Sequence, residues 1–467
     1  MRSDKLQNAI GGIDPDLIIR SEGKPKKKHG YPIVSAVAAI LALTIGMGIF
    51  VGRPGYTVCA GDMVAVYPQM ASYPSVYDAK GYEAWKADQK KREDYFGEGK
   101  HMNGFIRATA PVLLSGDGEN LVYSPVNIYM ALAMLAETTD GNTQRQLLNL
   151  LGASNIKTLR KRANAIWNAN YNEDGITSSI LASSLWLDEE EKYFKETLEI
   201  LRDSYYASSY RCEMGSREFE EALQTWLNEQ TRGLLEEQID GIELPSDTVL
   251  ALATTVYFRA AWESSFNVKN TSKDTFHGTD GDTEADFMNL EYDGLFFEGE
   301  NFFAVSKKLE GSGNMWFILP DGGVSVNELL QNKKTLSFLA DADDWNQNRE
   351  AVIHLSVPKF DISSQFDLED TLKTLGVTDC FDTERADFSP LIAGDSPAYV
   401  GKIDHGVSVG IDEKGIEGAA YTLTLVYGTG ESEHPEKEVF FTADRPFLFA
   451  VTGEDGTVVF LGVVNRM

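Results

Sequence analysis

Apolar and polar positions fall into two regimes along this chain. In the first half the spacing is mostly helical. Val126–Thr139 (VNIYMALAMLAETT) is almost continuously apolar, and Pro125 stands near its first turn, where a missing N–H costs little. Thr143 is placed to cap the next segment, QRQLLNLLG, which closes on Gly152. Residues 156–171, 193–206 and Phe219–Leu235 also carry the helical period, while Ser178–Leu187 reads as a strand. Further on strands dominate: Thr248–Phe258, Phe302–Leu309, Met315–Leu319, Ala351–Pro358 and the alternating run Val407–Ile411, with one helix at Leu368–Leu375. Helices gather early and strands late, without regular βαβ alternation. This predicts an α+β fold with antiparallel or mixed sheets.

The N-terminus departs from both patterns. Ile33–Val51 is an uncharged run of 19 residues, long enough to span a bilayer core of about 30 Å. Lys24, Lys26, Lys27 and Lys28 precede it and only Arg53 follows closely, so the positive-inside rule puts its N-terminal side in the cytosol. A cleaved signal peptide fits less well, since its apolar core usually spans about 7–15 residues. The expected organisation is a cytosolic tail (1–30), a transmembrane signal-anchor (31–52), an extracellular stalk with some helix around Tyr82–Arg92 (53–94) and a globular domain (95–467). Release of that domain by processing is left open.

Charge and cysteine content narrow the function. The chain carries -29, and its first 30 residues hold seven basic and four acidic side chains, which leaves -32 beyond them. Such acidity argues against nucleic acid and favours cationic partners. Cys59, Cys212 and Cys380 show no C-x-x-C spacing, so neither a zinc site nor a disulfide framework is indicated, although a single bridge stays open. No cofactor or metal site is expected.

Glu413–Gly430 (EKGIEGAAYTLTLVYGTG) follows the strand-like run Val407–Ile411 and precedes an acidic tract, Glu431–Glu438. Connections beyond about 12–15 residues are usually functional or disordered, and Thr422, Thr424 and Val426 suit a sheet. The segment reads as an exposed loop able to become a strand. Two catalytic patterns nearby fail on context. Gly406-Val-Ser408-Val-Gly410 matches G-x-S-x-G, but its serine lies inside a strand-like run and His405 precedes it, against the hydrolase order. Ser356-Val-Pro-Lys359 matches S-x-x-K, but Pro358 removes the helical turn that would join the pair.

Several motifs in order resemble the serpins, the large inhibitors of serine and cysteine proteases. They are Asn120…Ser124-Pro125, Gly141-Asn142-Thr143, Trp226-Leu-Asn-Glu-Gln-Thr231-Arg-Gly233, Val256-Tyr-Phe258…Trp262…Phe266 and Val357-Pro358-Lys359-Phe360. Leu375-Gly-Val-Thr-Asp379, Ala386-Asp-Phe-Ser389, His405, Glu413-Lys-Gly415…Glu417, Asp444–Phe449 and Phe460-Leu-Gly462…Asn465 complete the series. The match runs from about residue 95 to the C-terminus.

The resemblance implies three β-sheets, eight or nine helices and a reactive-centre loop over Glu413–Gly430. It implies a suicide-substrate inhibitor rather than an enzyme, monomeric, acting on extracellular serine proteases. The protease acylates itself on the loop, and the freed half inserts into the large sheet and traps the acyl-enzyme. The implied hinge is Glu413, Lys414, Gly415, Ile416, Glu417, Gly418, Ala419 and Ala420, with Lys359 as ion-pair partner of Glu413. Asn120, Ser124, His405 and Thr254 fall in the sheet-opening region, where the family usually has Asn and Ala in place of Thr254 and Thr255. Inhibitory members tend to have Thr or Ser where this chain has Ile416, Ala where it has Gly418, and a small residue where it has Tyr421. Counting about sixteen residues on from Glu413 places the scissile bond at Thr429-Gly430, with Val426 and Tyr427 as alternative positions. No Lys or Arg lies between Gly415 and Pro435, so elastase-like or subtilisin-like targets fit better than trypsin-like ones. The alternative the family allows is a non-inhibitory, binding or chaperone-like serpin.

Overall fold

Continuous apolar runs build the centre of the domain. Phe447–Thr452 and Val458–Val464 are buried at every position, as strands covered on both faces must be. The structure, a computed structural model, describes residues 59–75, 78–116, 118–235, 245–246, 248–341, 349–394, 397–416 and 437–467. Among these are ten α-helices and seventeen strands in two hydrogen-bonded sheets.

The first sheet contains β1 (Ala60–Met63), β3 (Asn172–Glu173), β4 (Ser178–Asp188), β5 (Ala207–Cys212) and β6 (Leu250–Ala261), followed by β12 (Phe360–Asp367), β13 (Asp404–Ile411) and β14 (Gly415–Ile416). Its order is β1-β5-β4-β6-β14-β13-β12, with β3 on β4. The second contains β2 (Leu121–Tyr123), β7 (Ser272–Gly278), β8 (Gly281–Glu298), β9 (Phe302–Lys308) and β10 (Asn314–Pro320). It is completed by β11 (Arg349–Pro358), β15 (Glu438–Thr442), β16 (Phe447–Thr452) and β17 (Val458–Val464). Three sheets are expected, but β8 pairs with β7 and β11 along most of its length and with β9 at Phe296–Glu298, which fuses two of them into one ladder.

The helices are α1 (Ala79–Glu93), α2 (Asn103–Leu113), α3 (Pro125–Glu137), α4 (Gly141–Leu150) and α5 (Ile156–Asn170), then α6 (Lys195–Tyr205), α7 (Arg217–Thr231), α8 (Val326–Gln331), α9 (Lys333–Ala340) and α10 (Glu369–Thr374). Helix α3 is almost wholly buried, and Ser124 caps it by accepting from the Asn127 N–H. It packs on β6 and β17, while α7 covers the other face of β6, with Phe219, Leu223 and Trp226 against Trp186 and Tyr210. Asp140, not Thr143, caps α4. Thr143 lies inside that helix and ties it to the carbonyl of Arg385 and the N–H of Asp387.

The expected stalk is corrected from Cys59 onward. Strand β1 pairs antiparallel with β5 at the sheet edge, and Cys59 is disulfide-bonded to Cys212, with Cα atoms 4.8 Å apart. Tyr67 packs among Trp167, Tyr171 and Tyr206. Trp85 of α1 donates its indole N–H to Asp174 at 2.9 Å, and buried Arg92 donates to the carbonyl of Ala169 at 2.9 Å. The Tyr- and Pro-rich stretch has no sustained period because single aromatic anchors, not a repeating face, attach it. The apolar run Ile33–Val51 lies outside the described residues, among which no helix is long and apolar enough to cross a membrane.

Candidate functional site: the hinge and the parted sheet

The segment expected to form the hinge begins as a tight hairpin. Asp412 accepts at its side chain from the N–H groups of Lys414 (2.8 Å) and Gly415 (3.1 Å), and its own N–H donates to the Gly415 carbonyl at 3.0 Å. This Asx turn reverses the chain after β13 and starts β14. Ile416 pairs with Ile411 on one side and Ala260 on the other, and its side chain is 1% exposed. Gly415 is obligatory here. A Cβ would run into the Ala260 carbonyl oxygen and come within 2.8 Å of the Ala261 Cα.

Tryptophan 262 fastens this hairpin to β6. Its indole N–H donates to the Asp412 carbonyl at 2.8 Å, its backbone N–H donates to Lys414, and the N–H of Phe266 donates to the Glu413 carbonyl. The Glu413 carboxylate is 2.6 Å from Lys359 Nζ and accepts from Thr271 Oγ1 at 2.7 Å. Burial pushes its pKa up, but these two partners outweigh burial and hold it below the usual range. Beneath the hairpin Lys307 is 1% exposed. Its Nζ lies 4.5 Å from the centre of Tyr292, 5.3 Å from Phe266 and 5.8 Å from Trp262. Desolvation lowers its pKa to about 7, and the ring faces favour whatever charge it keeps. No sequence signal isolates this lysine, since it and its cage come from three separated segments.

Below Ile416 the sheet is parted. Among the described residues β6 and β13 are not ladder neighbours, and only β14 joins them, pairing with β6 at Gly415 and Ile416 and with β13 at Ile416. A cavity of about 450 Å³ lies between, walled by Leu252–Thr255 on one side and His405 and Gly406 on the other. Helix α3 closes one face with Asn127, Ile128 and Leu132, and Leu223 and Leu227 of α7 line the other. Strand edges facing such a gap leave backbone donors and acceptors ready for another strand.

A chain of hydrogen bonds runs across the floor of this gap. Thr254 donates to Asn127 Oδ1 at 2.8 Å, and the Asn127 N–H donates to Ser124 Oγ at 3.3 Å. Ser124 donates its hydroxyl to the Val459 carbonyl at 2.7 Å and its backbone N–H to His405 Nε2 at 3.0 Å. The accepting Nε2 makes His405 a neutral ring, and complete burial lowers its pKa to about 3. It acts as an acceptor post, not as a base. The Thr255 hydroxyl, facing away from α3, is buried without a partner.

Ser124, Thr254 and His405 are thus brought together, while Lys359 and Glu413 meet at the gap's upper end. Asn120 is corrected: it lies away from the gap, accepting from the N–H groups of Asn465 and Arg466 and donating to the Arg466 carbonyl. Its place at the start of β2 puts it against the C-terminal strand β17. Glu417, Gly418, Ala419, Ala420, Val426, Tyr427, Thr429 and Gly430 lie outside the described residues.

The family model described as Serpin (serine protease inhibitor) matches residues 108–467. The chain is a serpin. Serpin-Z10 of Arabidopsis thaliana is 29% identical over 387 residues, covering 78% of this chain and 96% of the relative. Serpin A3-6 of Bos taurus is 29% identical over 363 residues, covering 76% and 84%. Among solved structures, the thermophilic serpin tengpin in its native state superposes with a TM-score of 0.70 at 23% identity, over 88% of this chain and 100% of tengpin. Arabidopsis AtSerpin1 in its native stressed conformation gives 0.67 at 25% identity, over 80% and 98%. The α+β serpin fold is established, and with it a family whose members are generally inhibitors rather than enzymes. The plant and cattle relatives give no support to a membrane-anchored, bacterial-type member.

Proposed function

We propose that this serpin is an irreversible suicide-substrate inhibitor of extracellular serine proteases. The observation that carries the reading is the parted sheet with Gly415–Ile416 already seated as the first rung of a new strand. Continuing that register sets Thr422 opposite both Thr254 and His405, with its hydroxyl toward the polar floor. Tyr421 then lies opposite Thr255 and Gly406, where a Cβ on the glycine would meet nothing nearer than Leu235 at 3.8 Å. The tyrosine ring would pack beside Leu235, with the unpartnered Thr255 hydroxyl next to it. Glu417 falls opposite Arg259, whose Nε is buried without a partner. Ile416, one of the three departures from the family's usual hinge, is thus already seated.

In this reading a protease opens the bond at Thr429-Gly430, or at Val426 or Tyr427, and remains as an acyl-enzyme on the released strand. Insertion between β6 and β13 supplies backbone partners to both strand edges and drives the distortion that stops deacylation. The absence of Lys and Arg from the bait favours elastase-like or subtilisin-like enzymes. Ile33–Val51 tethers the monomeric domain outside the cell, with residues 1–30 cytosolic. Incubation with an elastase-like protease tests the activity: a complex stable to SDS and heat is expected, and clean cleavage without one overturns it. Thyroxine-binding globulin, a serpin fold solved with thyroxine at a TM-score of 0.65, illustrates the binding-protein outcome.

A further inference from the structure

The described chain resumes at Lys437, and β15 follows at Glu438, eight residues beyond the end of the bait at Gly430. Among the described residues it is an edge strand, paired in parallel only with β11. Its residues alternate, and Phe440 turns outward with 73% of its surface exposed. An aromatic ring so exposed beside a loop made for capture calls for a reason.

Register gives the ring a fixed seat. Phe440 is opposite His354 on β11, which is opposite Glu291 on β8. The His354 and Phe440 rings stack with centroids 4.3 Å apart and planes 5° apart. Carboxylates surround the stack. Glu291 lies 3.4 Å from His354 Nδ1, Glu438 lies 3.7 Å from its Nε2, and Glu350 and Asp293 stand on the same face by alternation. The nearby cations Arg349 and Lys437 are both drawn to Glu298 at the end of the sheet. The result is a held aromatic knob in an acidic field.

We propose that this outward face of β15, β11 and β8 is an auxiliary docking surface for the target protease, and that it selects enzymes with a cationic rim. The proposal rests on the inhibitory reading above and names the partner's surface chemistry. Covalent continuity carries it, because the bait ends ten residues before Phe440 on the same chain, which tethers a protease gripping it to this strand. Charge carries it too, because Glu438, Glu291, Glu350 and Asp293 complement a basic rim and speed encounter, while a rigid aromatic is the usual anchor of such contacts.

The test uses the full chain, a cationic elastase-like serine protease, and the same protease succinylated on its surface lysines. The second-order rate at which intact chain is consumed is measured from low to high salt. Phe440→Ala should slow the cationic enzyme by about five- to tenfold, with Phe440→Tyr restoring most of the rate. Glu291→Gln/Glu438→Gln should slow it about threefold and flatten its salt dependence. The succinylated enzyme should be slower on the wild type and indifferent to all three variants. Wild-type rates for Phe440→Ala and the double variant at every salt concentration would overturn the proposal. So would a wild-type chain consumed no faster by the cationic enzyme than by the succinylated one. The yield of SDS-stable complex from the same samples judges the inhibitory reading separately.

Discussion

The Glu413 carboxylate lies 2.6 Å from the Lys359 ammonium, where the hinge leaves β13 and enters the sheet. The glutamate is 7% exposed, so its charge depends on Lys359 and Thr271 for compensation. Glu413→Gln keeps an acceptor for Thr271 and loses the charge pair. It should destabilise the uncut protein by about 1–3 kcal/mol, read as a lower melting midpoint. Lys359→Ala should cost more, because it strands a buried carboxylate.

Acid should weaken the native fold through two groups with the same sign. His405 has a folded pKa of about 3 against about 6.5 in an unfolded chain. The unfolded state therefore binds the extra proton between these values, and stability is full above pH 6.5 and falls as pH drops toward 3. Glu413, with its pKa also held down, loses its contribution at the lower end of that window. Melting midpoints from pH 7 to pH 4 should fall steadily, and His405→Gln should flatten the upper part of the slope. A flat wild-type profile above pH 4.5 would refute this assignment.

Gly415→Ala should expel the first rung. The added methyl meets the Ala260 backbone, and overpacking of this kind costs about 1–3 kcal/mol. The hairpin Asp412–Ile416 should then become a site of limited proteolysis, whereas the wild type should resist cleavage there.

Arg259 offers a test of register. If insertion sets Glu417 opposite it, the cut and inserted form holds a charge pair there. Arg259→Met should reduce the rise in melting midpoint on loop cleavage while changing the intact protein little. An equal loss in both forms would place Glu417 elsewhere.

Much of this site was legible in the sequence because it depends on local rules. The alternation of Val407–Ile411, the small-residue run Gly418–Ala420 and the family motifs around Ser124, Lys359 and Glu413 all lie on contiguous stretches. What was not legible needed distant segments to meet. Asn120 shares a motif with Ser124, yet it bonds the C-terminal residues because β2 is the edge neighbour of β17. Thr143 has the chemistry of a cap, but Asp140 precedes it and the helix starts earlier. The Lys307 cage and the Phe440–His354 stack are cross-strand juxtapositions, set by register and invisible to spacing.

The bond between Cys59 and Cys212 gives the N-terminal side of the domain a mechanical property. Any pull on the chain ahead of Cys59 passes through covalent sulfur into β5 and so into the body of the first sheet. The leading stretch, residues 60–75, is spared the load. The short ladder of β1 and the aromatic anchor at Tyr67, which would peel one contact at a time under tension, are thus bypassed. The domain can be held by its leading end without that end being unzipped.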